Sequence, residues 1–302
     1  MTTSSVAIGV VSMGLTTPSA PFDVATVFPE LAGQRRTTVR LHPRQGQPAI
    51  TDSSMGGPLL WPADEPWPSC PEPLSHGPSK GRDPLPLIPV MQLFARDVPE
   101  LPFPDGTDTL QVLWCPVDHK PYSEPHTIVR WRKAEEVGSP LIEAPEPDPE
   151  SDDSYLPTTC VLSPERVEEY PDGWELPAEL RARIWAWEES AANSDGWSYF
   201  SHLATAPGSK VGGWANWIQD PEQSVCGRGH EMAHLLTIAS WELDIESGRR
   251  WAPIEERPLL TPHAPPEVQN PADVMIQDAG SLYLFVCLEC PERPVESLSQ
   301  GS

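Results

Sequence analysis

Ser53-Ser-Met-Gly-Gly-Pro-Leu-Leu-Trp61 recurs 156 residues later as Ser209-Lys-Val-Gly-Gly-Trp-Ala-Asn-Trp217. The same shift, without a gap, places Asp64 on Asp220 and Cys70 on Cys226. Both copies read Gly-Gly-x-x-x-Trp-x-x-Asp-x-x-x-x-x-Cys. Trp and Cys are rare, so repeated spacing of this kind points to repeated structure. A second match follows at a different offset: Leu110-Gln-Val-Leu-Trp-Cys115 against Leu282-Tyr-Leu-Phe-Val-Cys287. Between the two matches each half has a further apolar run, Pro89–Phe94 and Leu235–Ala239. Each half thus reads as a Gly-Gly turn, a loop ending at Cys, a middle strand and a strand ending at Cys. The predicted fold is a β-rich α+β protein of two duplicated halves, 36–135 and 155–298, with mostly antiparallel strands and few short helices.

Residues 1–20 read as a disordered leader of Ser, Thr, Gly and Pro, and 21–302 as a single domain. Asp23 can cap a short helix running to Leu31. Arg36–Leu41, Leu87–Phe94, Leu110–Cys115, Thr127–Arg132, Leu235–Trp241 and Leu282–Cys287 have the length and apolar content of strands. The acidic, proline-rich stretch 143–154 reads as an exposed linker. One helix of real length is predicted over Pro177–Ala192, with Leu180 and Ile184 facing inward.

Composition narrows the function. The 302 residues include 39 prolines, about 13% against a typical ~5%, which excludes a helical bundle. Twenty Lys+Arg face 44 Asp+Glu, a net charge of −24, which argues against nucleic acid or an anionic membrane as partner and leaves a basic protein, metal ions or small molecules. Val6–Leu15 is too short to span a membrane and lacks the basic flank of a secretory signal. A cytoplasmic monomer is expected, so the six cysteines are expected as thiols or metal ligands, with Cys160 simply packed.

Cys226-Gly-Arg-Gly-His230 and Cys287-Leu-Glu-Cys290 form C-x3-H and C-x2-C. Hooks of this kind suit structural zinc, because two ligands from one tight turn can reach a single ion. Cys70, His76, Cys115 and His119 are a second, weaker set in the first half. His230-Glu-Met-Ala-His234 also matches H-E-x-x-H, in which two histidines on one helix face hold catalytic zinc and Glu231 is the base, with Glu255 or Glu256 as a third ligand. That alternative needs a helix where the sequence suggests a strand. No nucleophile elbow, phosphate loop or dinucleotide fingerprint is present. Trp214, Trp217 and Lys210 are candidate binding residues, and a tryptophan-lined cleft binding a small molecule is a third reading.

Met55–Pro62, Val90–Phe94, Ser209–Gln219 and Gly280–Cys287 carry a pattern that resembles the YwqG-like domains, a bacterial family of unknown function. The resemblance spans residues 36–298 and brings no catalytic residues with it. The second half is also similar to the N-terminal domain of eukaryotic programmed cell death protein 2, with a Ser-Lys-Val-Gly-Gly start and a final strand ending in cysteines. Those proteins are dedicated chaperones for a small-subunit ribosomal protein, so the resemblance implies a protein-binding role, chaperone-like or of immunity type. The expectation is a non-enzymatic, zinc-stabilised module for a basic client.

Overall fold

The computed structural model describes residues 14–77, 80–81, 83–260 and 266–301. In chain order its strands are β1 (Arg36–Arg40), β2 (Arg44–Gln45), β3 (Ser54–Met55), β4 (Ile88–Phe94), β5 (Thr109–His119), β6 (Glu124–Arg132), β7 (Cys160–Val161), β8 (Glu165–Glu169), β9 (Lys210–Gly212), β10 (Ala233–Ala239), β11 (Ser281–Val286) and β12 (Val295–Gln300). They form two six-stranded sheets, β2-β7-β3-β4-β5-β6 and β8-β1-β9-β10-β11-β12. All the pairings are antiparallel.

The two orders are the same, with an exchange built in. β1 pairs with β9, placing Val39 opposite Val211, and β7 pairs with β3, placing Cys160 opposite Met55. Each half of the chain therefore lends its first strand to the other half's sheet, a crossing that the linear reading of two separate halves did not anticipate. Registers correspond as well. Met55 faces Met91 and Val211 faces Leu236. A bulge interrupts β4 between Pro89 and Met91, and β10 between His234 and Leu236.

Alternation along β5 and β11 sorts the side chains. Leu110, Val112 and Trp114 point into one shared core with Leu282, Leu284 and Val286, while Leu113 and Phe285 face outward into satellite clusters. The Trp114 indole N–H donates to Tyr155 O at 2.8 Å, so this wholly buried ring leaves no polar atom unpaired. The Gly56-Gly57 and Gly212-Gly213 pairs all have positive φ, between 66° and 86°. A Cβ on Gly213 would stand 2.1 Å from Glu169 Oε1, so no larger residue fits there.

The helix α1 covers Ala178–Glu188, shorter than Pro177–Ala192, because Pro177 caps it and the chain turns off after Glu189. Leu180 and Ile184 are buried as the spacing predicts. Two single-turn α-helices, α2 (Gly248–Trp251) and α3 (Pro266–Gln269), follow it, and the other helical turns among the described residues are short 3-10 turns and one π turn, Tyr199–Leu203. Asp23 to Leu31 forms two 3-10 turns, with Asp23 accepting from Ala25 N. Of the leader, residues 1–13 lie outside those described. Thr17 is buried, its backbone N–H and hydroxyl both donating to Glu165. No described helix is long and apolar enough to cross a membrane.

His42 carries a pH dependence. It is 2% exposed, and burial, followed by the Arg40 charge, pushes its pKa down to about 4 despite the Glu165 carboxylate at 2.9 Å. The unfolded chain binds the proton first, at about pH 6.5, so this contribution is full above that pH and is lost as pH falls towards 4. Wild type should lose about 3 kcal/mol more than His42→Gln across that window in urea denaturation. Parallel pH profiles for the two proteins would refute this assignment.

Candidate metal centres and groove

Each outward-facing stripe carries a cysteine. Cys115 follows Leu113 on β5, and Cys287 follows Phe285 just past β11. The loop of each Gly-Gly turn brings a second cysteine to it, Cys70 or Cys226. The loops are held alike: Cys70 N donates to Leu85 O at 2.7 Å, and Cys226 N to His230 O at 3.0 Å. In this frame the two cysteines of each half are equivalent, whereas His230 stands where the first half has Leu85. The remaining ligands come from different places, His76 and His119 in one half, His230 and Cys290 in the other.

Cys70, His76, Cys115 and His119 converge, all four buried, and their ligand atoms lie within 4.8 Å of one another. His76 Nε2 is 3.4 Å from Cys70 Sγ and 3.5 Å from Cys115 Sγ, and His119 Nε2 is 3.5 Å from Cys70 Sγ. Edges of roughly 3.5 Å are what a tetrahedron with ~2.3 Å metal–sulfur and ~2.0 Å metal–nitrogen bonds requires. His76 Nδ1 lies 3.1 Å from Gly81 O, an outer contact that fixes the tautomer and turns Nε2 inward.

Cys226, His230, Cys287 and Cys290 converge equally closely. Here His230 uses Nδ1, 3.5 Å from both Cys287 Sγ and Cys290 Sγ. The three cysteines are buried and His230 is half-buried. Two thiolates and two neutral imidazoles balance a divalent ion, whereas three thiolates carry one negative charge too many. Arg228, inside the Cys226–His230 hook, places Nη1 3.6 Å from Cys290 Sγ while its Nη2 donates to Glu292 at 2.6 Å, so a positive charge lies beside the third thiolate with a carboxylate behind it. The sequence reading passed over Arg228, although its place inside the hook marks it. Both groups can hold a metal ion. Cys160 is buried apart from them, and all six cysteines are free.

The H-E-x-x-H alternative does not assemble. His230 precedes β10 and His234 lies in it, so the two are not one helical turn apart. Both His234 ring nitrogens are engaged, Nδ1 with Gly212 O at 2.9 Å and Nε2 with Thr237 Oγ1 at 2.8 Å. Glu231 is exposed, and Glu256 is instead the partner of Arg44.

Of the candidate binding residues, Lys210 needs correction. It is completely buried and donates to both oxygens of the equally buried Glu169, at 3.0 and 2.8 Å. Burial pushes the lysine pKa down and the glutamate pKa up. The Glu169 carboxylate also accepts from Ala206 N and Trp214 N, so this pair ties β8 and β9 to the Gly-Gly turn. Trp217 is 7% exposed and packs on Tyr283 and Phe285. Trp214 is half-buried, with the Arg36 guanidinium 3.3 Å over its ring. Both tryptophans line a groove of about 890 Å³ that reaches His230 and runs along Met232, Phe285 and Leu288.

No protein-family model matches this chain, and no curated protein matches it.

Removing one charge of the buried pair leaves the other uncompensated. Lys210→Met should cost about 3–5 kcal/mol in urea denaturation, and adding Glu169→Gln should recover part of it. A single variant as stable as wild type would show that the pair does not hold the turn.

Proposed function

We propose that this chain is a non-enzymatic protein-binding module, built from two duplicated halves each closed by a structural zinc ion, and that its client is a basic protein. The observation that carries it is the pair of Cys/His clusters with tetrahedral edges. Each supplies four protein ligands, a closed set that leaves no position for substrate, which is the pattern of structural rather than catalytic zinc. The resemblance to YwqG-like domains and to programmed cell death protein 2 supports a chaperone-like or immunity-type role. The charge of −24 supports a basic client, whose approach would be steered electrostatically.

Zinc content tests the first part. Purified protein should carry two equivalents, one for each cluster. Cys287→Ser should keep one equivalent and lose stability, because metal-binding energy is folding energy. A metal-free protein with an unchanged melting temperature would end the structural-zinc assignment.

Salt tests the second. Proteins retained on the immobilised chain from its native host should be basic and should elute between low and physiological salt, as the Debye length shortens towards ~8 Å. Retention of mainly acidic proteins, or binding unchanged at ~1 M salt, would overturn the basic-client assignment.

A further inference from the structure

The first half shows what fills the groove of the second. There Trp67 lies 5.1 Å from the Trp61 ring, donates its indole N–H to Leu87 O at 2.8 Å and packs with Leu59, Leu85 and Leu113. The backbone frame that holds it recurs bond for bond. Leu87 N donates to Pro68 O and Met232 N to Ser224 O, both at 3.0 Å, and isolated bridges join Ser69 to Pro86 and Val225 to Glu231. The shift that sets Trp61 on Trp217 sets Trp67 on Gln223 and Leu59 on Ala215. At both positions a large apolar side chain of the first half is replaced by a smaller or polar one. Both positions, Ala215 and Gln223, line the groove of about 890 Å³, which is floored by Trp214, Trp217, Met232, Phe285 and Leu288.

Its rim carries Glu175, Glu222, Glu231 and Glu289. Among the described lining residues Arg36 is the sole arginine or lysine, and it is already laid on the Trp214 ring. We propose that the groove takes an aromatic side chain, indole best, from a partner segment rich in lysine and arginine, in the place that Trp67 occupies in the first half. This deepens the protein-binding reading above and rests on it. The aromatic ring packs against Trp217 and Phe285, and the flanking cations meet the carboxylate rim. The groove is larger than one indole, so the backbone on either side of the anchor also fits.

The test uses a fluorescein-labelled arginine- and lysine-rich peptide with one central tryptophan, and the same peptide with alanine there. Binding to the full chain is followed by anisotropy. The tryptophan peptide should bind at least about tenfold tighter. Gln223→Trp, which fills the groove as Trp67 does, should abolish that advantage without lowering the melting temperature. Ala215→Leu is a second filling variant for the case that Gln223→Trp folds poorly. Equal affinity of the two peptides for wild type, or a preference that survives both filling variants, overturns the anchor proposal. If both peptides then still bind in a salt-sensitive way, the basic-client reading stands without it. If neither binds and no basic protein is retained, both fall.

Discussion

The exchange of β1 and β7 between the sheets is the constraint on which the rest depends. β3 and β9 are only two and three residues long, yet each sits in the middle of its sheet. Neither can be held by its own half alone, since each has one neighbour from the same half and one from the other. The exchanged strands make one shared core out of two patterns that would each bury a single face. The same pairing brings Glu169 of β8 over the Gly212-Gly213 turn, where Lys210 and two backbone N–H groups neutralise its charge.

The clusters sit beside the satellite apolar clusters on the outer face of each sheet. Residues 57–77 and 213–232 are long connections with almost no regular secondary structure, rich in proline in the first case, and each must be held on the outer face of its sheet. Glutamines and tyrosine help: Gln111 Nε2 donates to Leu60 O at 2.9 Å, and Tyr283 Oη to Asn216 O at 2.6 Å, at equivalent points of the two loops. The cysteines then fasten each loop to β5 or to the end of β11.

Much of this was legible in the residues. The rare Trp and Cys positions, the glycine pairs and the long apolar runs marked β1, β4, β5, β6, β10 and β11, and both ligand sets. What was not legible has physical reasons. Two-residue strands such as β2, β3 and β7 show no periodicity, because two residues cannot alternate. β8 reads Glu-Arg-Val-Glu-Glu and β12 Val-Glu-Ser-Leu-Ser-Gln, edge strands whose polarity suits solvent and hides them. Lys210 looks available until Glu169, 41 positions earlier, is found beside it. That His230 replaces a leucine, rather than a histidine, depends on strand register, which spacing alone does not carry.

Strand exchange also sets an order of events during synthesis. The Thr38 hydroxyl donates to Val211 O across 173 positions, so β1 leaves the ribosome long before its central neighbour exists. At about 5–20 residues per second that interval is roughly nine to thirty-five seconds. Through it the nascent chain displays an unpaired strand edge and half of a core, the conditions that invite mispairing with other chains. A fold of this topology is a late-closing one, and its first half remains a liability until the last third of the chain is made.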